Sequence, residues 1–585
     1  MKKITILLTA LIFEVCMLSA QTATTPSGSG TSNDPYLITS LNDLYWISQN
    51  SSSWSGYFLQ TADMDASATS SWNSGAGWLP IAPFTGLSGT YFSGTYNGGG
   101  HTISGLTIHN TSAYTGWGLF GVIWSGTVTN LSVINANVTG AGVVGIIAGL
   151  AVGNSVIKNC ITSGTVSGSI GDDGLGNGTG GLVGGAYYYS GASTISDCYS
   201  SATVSSSHKN VGGLIGKNQS SITNCYATGT VTSSMESSNN ESCVGGLVGD
   251  NQGPLSKSYA TGAVSGQCCI GGLAGKNANR DGNYTSVTID SCYATGAVTV
   301  LYESINNNAN SGGLVGSNDS AGIKYSYATG NVVGLSNSSN VGGLAGVNTN
   351  TGTINYCYAT GVVSGGGCIG GLIGQVSLST IADSYARGNV TGTENNVGGL
   401  VGRNTGSAIT NTYSTGTVYS LGCYGGILGS NENSASISNS FWDTGTSGLT
   451  AGCGYNGATF GATGKITTEM KTQSTFTDAG WNFSSLWAIS SSVNNGYPYF
   501  GSGIISTITK LKVKDGLHIY PNPCTDGFTV DAGDKATTLY IYDLSGKFIL
   551  TQKVSGLSRV NVSNLGNGVY VVKVNGKNIQ LIKNE

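Results

Sequence analysis

A chain of 585 residues is too long for one ordinary hydrophobic core, and with only 9% charged residues and a net charge of −4 it carries no electrostatic footprint for nucleic acid. Its 94 glycines meet only 8 prolines and follow no Gly-X-Y period, which excludes a collagen-like rod. Asn, Ser, Thr and Gly dominate the polar positions, as suits stacked strands joined by tight turns.

Residues 1–20 read as a secretory signal: Lys2 and Lys3 precede the apolar run Ile4 to Phe13, and Ala20 is small enough for cleavage, although Glu14 and Leu18 depart from the usual pattern. No later stretch is apolar enough to span a bilayer. Residues 21–117 are expected to hold an N-terminal cap and the first coils of a solenoid. Within SLNDLYWISQN, Ser40 and Asp43 resemble a capping box and Leu41, Leu44 and Ile47 share one helical face, which predicts a short helix over the open end. His101 follows three glycines, has no carboxylate or cysteine partner expected nearby and reads as a structural turn residue.

From 118 to 443 one unit returns, seen cleanly as VGGLIGKNQSSITNCYATGTVT from Val211 to Thr232. A tyrosine stands at 199, 226, 259, 293, 327, 358, 385 and 413, with a valine five residues after each, while the repeats themselves differ in length. A fixed core with variable spacers marks a solenoid. Alternation puts Cys225, Ala227, Gly229 and Val231 on one side and Tyr226, Thr228, Thr230 and Thr232 on the other. The valine column is apolar in every coil, so its side is expected inside. An outward ladder would then comprise Tyr226, Tyr259, Tyr293, Tyr327, Tyr358, Tyr385 and Tyr413, flanked by Thr228, Thr261, Thr295, Thr329, Thr360 and Thr415. Ile222 shares parity with Tyr226, so the chain must bend between them, and Thr223–Asn224 is the expected corner; a bend elsewhere turns the tyrosines inward. Gly-Gly before Leu suggests a second corner. These glycine motifs lack the Lys-Ser/Thr and crossover pattern of a phosphate-binding loop.

Of 13 cysteines, Cys160, Cys198, Cys225, Cys292 and Cys357 precede the aromatic or Ile position, and Cys243, Cys268, Cys368 and Cys423 lie just before Gly-Gly pairs. Free thiols packed as small hydrophobes are expected, although coils about 4.8 Å apart also leave a disulfide between successive cysteines sterically open. Zinc-ligand spacings are absent, and neither metal nor cofactor is expected.

Across 444–502 the repeat decays through FWDTGTSG, a helical candidate at Thr468–Thr472, Trp481, Trp487 and YPYF at Tyr497–Phe500, which are expected to seal the far end of the core. A linker, 503–511, leads to residues 512–585, whose strands GFTV, TLYIYDL, KFILTQKV and GVYVVKV predict a small β-sandwich. The expected fold is all-β, a parallel β-helix with end caps followed by that sandwich.

The GGLVG units followed by CYATGxV resemble the GLUG-motif family over Gly118 to Asp443, which implies a right-handed parallel β-helix. The last module resembles the type A sorting domain of the bacterial type IX secretion system. The matching residues are Tyr520, Pro521, Asn522 and Pro523 of YPNP, Tyr542, Asp543, Gly546 and Lys547 of IYDLSGK, and Gly568, Tyr570 and Lys573 of LGNGVYVVKV. That resemblance implies the type IX machinery as partner and export from a Gram-negative bacterium, with release or anchoring at the outer surface. GLUG repeats also occur in immunoglobulin-cleaving metallopeptidases that carry HExxH. None of the four histidines here is followed by Glu, so that activity does not carry over.

The functional expectation is a non-catalytic, adhesin-like protein that binds a glycan or a host or matrix surface through the outward ladder. The alternative is a polysaccharide lyase or glycoside hydrolase. That chemistry needs paired carboxylates or a carboxylate with a basic partner, whereas Asp250, Asp281, Asp290, Asp319, Asp383 and Glu394 fall at differing repeat positions and Asp172 and Asp173 share a glycine-rich loop. An ice-binding threonine face is disfavoured because Arg387 interrupts the column.

Overall fold

The computed structural model describes residues 21–501 apart from 85–88, 111–115, 170–176, 236–241, 281, 283, 285 and 303–307, and residues 519–583 apart from 521–523, 525, 532–535, 544–545 and 556. The predicted signal (1–20), the linker (503–511), Asp172, Asp173, Asp281, Pro521, Asn522 and Pro523 lie outside the described residues. The chain divides into two compact units, Met1–Ile508 and Thr509–Glu585.

In the first unit a typical coil consists of five short strands, some of which merge in other coils. Val211–Gly212 enters a ten-stranded sheet, Ile215–Asn218 a twelve-stranded one, and Ser221–Thr223, Tyr226–Ala227 and Val231–Ser233 the third and largest. Every coil-to-coil pairing is parallel, in registers such as Val211↔Val244, Ile215↔Val248, Tyr226↔Tyr259 and Val231↔Val264. Leu214, Ile222, Cys225, Ala227 and Val231 are buried in one continuous core, which makes this a parallel β-helix. The parity change between Ile222 and Tyr226 is made at Asn224, whose φ is 54°, where the sequence places the bend. Short Asn and Asp side chains tolerate that left-handed conformation, and Asn159, Asp197, Asp383 and Asn411 adopt it in the same column. At the Thr-Gly corner a Cβ on Gly229 would stand 1.9 Å from Ala202 O, and at the Gly-Gly corner a Cβ on Gly213 would stand 2.2 Å from Gly246 O. Only glycine lets the coils approach this closely.

The interior also holds a polar column. Asn218, Asn251, Asn277, Asn318 and Asn348 are all fully buried, each of the first four donating its side-chain amide to the next residue's side-chain carbonyl at 2.7–2.9 Å. Asn404, Asn431 and Asn456 continue the ladder at 3.0 and 3.1 Å. Between the two runs the register places Val376, opposite Asn348 on one side and Asn404 on the other. This gap leaves Asn404 Oδ1 as a buried acceptor without a hydrogen bond. Val376→Asn is therefore expected to join the two runs and raise stability by about 1 kcal/mol, measured by urea unfolding. An unchanged or lower midpoint would show that the ladder is not energetically continuous.

At the N-terminal end the helix Leu41–Gln49 starts where Ser40 Oγ accepts from Asp43 N, and it buries Leu44 and Ile47 in the solenoid core. The coils begin earlier than the repeat is legible, with Tyr36–Ile38 pairing Tyr57–Gln60, which in turn pairs Thr95–Asn97. His101 does have a carboxylate partner, in correction of the sequence reading: Asp63, from 38 residues away, places Oδ1 3.3 Å from Nδ1 and accepts Thr102 N at 2.9 Å. The pair fastens a turn between coils.

The C-terminal end corrects a second expectation. One more coil follows the last recognisable repeat, with Cys453–Asn456 and Thr459–Lys465 paired to Leu428–Glu432 and Ser436–Asp443. Trp442 ends the interior core, with Leu449 and Phe460 packed against it and its Nε1 donating to Leu449 O at 3.0 Å. Helices Thr467–Met470 and Gln473–Thr477 and the aromatic segment up to Phe500 do not seal this end. They fold back over the outer side of the preceding coils, where Met470, Phe476, Trp481, Trp487, Tyr497 and Phe500 form a separate cluster with Tyr385, Tyr413 and Phe441.

The second unit has two antiparallel sheets. Ile519–Tyr520, Gly527–Asp531 and Leu557–Asn561 make one, and Thr537–Asp543, Phe548–Val554, Gly568–Val574 and Lys577–Lys583 the other. Phe528, Val530 and Val560 from the first and Leu539, Ile541, Val572 and Leu581 from the second share one core.

Candidate functional site

The tyrosine column stands outside the core. Tyr226 pairs Tyr259, Tyr259 pairs Tyr293, and the register continues through Tyr327, Tyr358, Tyr385 and Tyr413. Their rings form one stack, with centroids 4.4 Å apart between Tyr199 and Tyr226 and 4.7–5.0 Å apart from there to Tyr413. Planes beyond Tyr226 deviate by 9° or less. The coil spacing imposes this geometry, since side chains at one register position in parallel strands repeat at the strand separation. Such stacking leaves little free ring face, so sugar-ring stacking on tyrosine faces is not what the column offers. Half-buried rings at Tyr226, Tyr293, Tyr327 and Tyr358 present edges and hydroxyls instead, while Tyr259 between them, expected outward, is buried at 7% exposure. Burial pushes the phenol of Tyr327 above its ordinary range, and that of Tyr358 more so, with Tyr327 adding to it; both remain neutral hydrogen-bonding groups at any physiological pH.

Beside the stack runs the threonine column. Thr261, Thr295, Thr329 and Thr360 are exposed, and Thr228 is half-buried, with its Oγ1 3.0 Å from the Tyr199 hydroxyl. Together the columns make a hydroxyl strip running along the solenoid axis.

Not all of the predicted ladder is on this strip. Tyr385 is 4% exposed and Tyr413 0%, both under the folded-back segment. Tyr413 OH donates to Pro498 O at 2.5 Å and accepts from Asn494 Nδ2 at 2.9 Å, and Trp487 Nε1 reaches Asp383 Oδ1 at 3.3 Å. Arg387, which occupies a threonine position, donates to Asn494 O at 3.0 Å and lies 4.9 Å from the centre of the Tyr497 ring. Thr415 is buried in the same region. Phe500 stands 6.4 Å from Tyr358 and 5.6 Å from Tyr385, so an aromatic wall ends the strip. Sequence reading sees Arg387 only as an irregularity and misses this clamp. The signals were there, a lone cation in a hydroxyl column and a late aromatic cluster, but nothing local connects positions 107 residues apart.

The carboxylates are scattered. Asp290 is 3.2 Å from Lys324 and Asp319 3.7 Å from Arg280, while Asp383 accepts from Trp487 and Asn411. Asp250 is buried, with burial raising its carboxyl above the ordinary range against the nearby Lys217 and Lys276. Glu394 lines an open pocket of about 530 Å³ with Cys368, Thr393, Asn395 and Leu421, and no second carboxylate lies among the described residues of its wall.

In the second unit Asp543 and Lys547 close a hairpin, Lys547 N donating to Asp543 Oδ1 at 3.0 Å around Gly546 at φ 85°. Tyr542 pairs Val571, Asp543 pairs Tyr570, Tyr540 pairs Lys573 and Gly568 pairs Lys583, so the two later sorting motifs meet on adjacent strands. Tyr570 OH donates to Gly566 O at 2.8 Å. Tyr520 lies in the strand Ile519–Tyr520.

The GLUG motif model matches residues 176–205, 207–232, 337–364 and 393–419, and the model for the secretion system C-terminal sorting domain matches 518–584. Halomucin of Haloquadratum walsbyi is 52% identical over 62 residues, 10% of this chain and 1% of that protein. A protein of Evansella cellulosilytica, provisionally named a Gly-rich membrane protein, is 32% identical over 161 residues, 26% of this chain and 14% of the relative. The chain thus spans only a small part of the length of either. A crystal structure from Bacteroides ovatus, provisionally named an immunoglobulin A1 protease, aligns at 20% identity and a TM-score of 0.26 over 81% of this chain and 94% of that one. On the motifs matched, the chain carries GLUG repeats built into a parallel β-helix, followed by a type IX secretion system sorting domain that sends it to the cell surface or the extracellular space.

Proposed function

We propose that the protein is a non-catalytic, adhesin-like binder that holds an extended hydroxyl-rich polymer, a glycan or matrix chain, along the strip from Tyr226 to Tyr358. The observation that carries this reading is the locked register of the hydroxyl columns, with tyrosine rings 4.7–5.0 Å apart and exposed threonines beside them at Thr261, Thr295, Thr329 and Thr360. A polymer aligned with the axis meets exposed threonine hydroxyls at successive coils and tyrosine hydroxyls at all but the buried Tyr259, so individually weak hydrogen bonds accumulate along it. The scatter of the carboxylates among separate ion pairs supports a binding role over hydrolysis or elimination.

The test uses the exported chain against a panel of soluble and insoluble polysaccharides, following protein depletion and release of reducing or unsaturated ends together. Depletion without products is expected. Tyr293→Phe with Tyr327→Phe keeps the stacking and removes two hydroxyls, and is expected to weaken binding about tenfold, equivalent to ~1.4 kcal/mol. Released product would overturn the non-catalytic reading, and unchanged binding by the double variant would move the site off the strip.

A further inference from the structure

Away from the strip, three thiols meet between two coils. Cys243 and Cys269 each directly precede a register pair, Val244↔Ile270, in the ten-stranded sheet, so they stand opposite one another on adjacent parallel strands; Cys268 is beside them in sequence. Cys269, rather than the Cys268 expected from sequence, therefore occupies the position before Gly-Gly. All three are buried, at 6%, 0% and 4% exposure for Cys243, Cys268 and Cys269. The spacing of adjacent strands, about 4.8 Å, lies within the Cα separation that a disulfide bridges.

Two further observations bear on this pair. Most coils elsewhere place asparagine at the Cys269 position, as Asn210, Asn310, Asn340 and Asn396, with φ of 62°, 42°, 61° and 66°, and one places Cys368 there at φ 51°. Cys269 and Cys368 both hold a left-handed φ without the asparagine amide, but Cys368 lies between Asn340 and Asn396 whereas Cys269 faces Cys243. In the interior column Cys160, Cys198 and Cys225 also reach carbonyls, of Lys158 at 3.4 Å, Ser196 at 3.1 Å and Thr223 at 3.3 Å, beside sulfur–sulfur contacts of Cys198 with both neighbours. The Cys198 contact and burial push the thiol of Cys160 up, and burial pushes that of Cys198 up. At Cys269 the direction is opposite: donation from Cys243 and Cys268, helped by the Lys276 charge and the Asn310 side chain, draws its thiol below the ordinary range.

We propose that Cys243 and Cys269 are joined by a disulfide in the exported protein, stapling two successive coils and leaving Cys268 as the free thiol. The inference rests on export and on coil register, and is independent of what the strip binds. The oxidant is the protein disulfide of an envelope thiol oxidase, met while the coils are still open. The Cys269 thiolate attacks one sulfur of that disulfide, forming a mixed disulfide and expelling the oxidase's other sulfur as a thiolate. Cys243, losing its proton to solvent, then attacks the Cys269 sulfur and expels the second. Two thiols become one disulfide, and the oxidase disulfide gains the two electrons and, from solvent, two protons.

The test maps label on the full exported chain recovered from an oxidising envelope. Thiols are blocked with iodoacetamide in denaturant without reductant, the protein is then reduced and treated with N-ethylmaleimide, and tryptic peptides are read by fragmentation. Cleavage after Lys217, Lys257 and Lys276 places Cys243 and the Cys268–Cys269 pair on different peptides. The expected result is maleimide on Cys243 and Cys269 and acetamide on Cys268, with the peptides linked when reduction is omitted. Cys268→Ser is expected to retain the link and Cys243→Ser to lose it. Acetamide on both Cys243 and Cys269, or a link that includes Cys268, would overturn the proposal.

Discussion

Gly296→Ala is expected to lower the stability of the β-helix by at least about 3 kcal/mol. Its backbone is not in the left-handed region, so the cost is steric: a Cβ there would lie 1.9 Å from Gly262 O and 2.6 Å from Gly262 C. Both are backbone atoms of the preceding coil and cannot rotate away. The same contact recurs at Gly262, Gly330, Gly361, Gly388 and Gly416, each against the coil before it, so relief at one coil only passes the displacement on. Gly457→Ala, whose added carbon would come no nearer than 3.5 Å to the end of the Tyr455 side chain, is the matched control and is expected to stay within about 0.5 kcal/mol. Equal urea midpoints for the two variants would show that the coils separate freely.

Trp487→Ala is expected to cost about 3–5 kcal/mol, confined to the folded-back segment. The indole is 2% exposed and packs 4.6 Å from both Trp481 and Phe500 and 6.1 Å from Tyr385. Because that cluster is separate from the interior core, its loss should free residues 467–500 for limited proteolysis while the coils stay protected. Tyr385 and Tyr413 then join the accessible strip, and affinity for a strip-binding polymer is expected to rise. Simultaneous proteolysis of coils and segment would show instead that the segment is integral to the solenoid.

The coil itself was legible because its spacing is rigid. Tyrosine and valine five residues apart fix one strand pair, and the parity conflict between Ile222 and Tyr226 forces a bend that Asn224 supplies. The asparagine ladder was equally regular, since Asn218, Asn251, Asn277, Asn318 and Asn348 all follow their Gly-Gly pair at the same distance. It was overlooked because an asparagine near glycine reads as a turn residue, and only coil stacking turns buried amides into donors for one another. The clamp of Arg387 on Asn494 was not legible, because no periodic pattern links a repeat residue to a non-repeating tail. The tyrosine faces show a subtler limit. Residue type and outward parity can be read from sequence, but whether rings offer faces or edges depends on the spacing to the next ring.

Stacked coils also determine how the molecule yields to force. Each coil of the repeat is hydrogen-bonded mainly to its neighbours, and Asn218 and Asn251, one rung apart on the ladder, are separated by 33 residues of chain. A tether pulled from one end therefore has no reason to fail all at once: coils peel off singly, each releasing roughly 110 Å of extended chain while advancing the stack by one strand spacing. A solenoid built this way is expected to yield to force in steps, where a globular domain of equal size unfolds in one event.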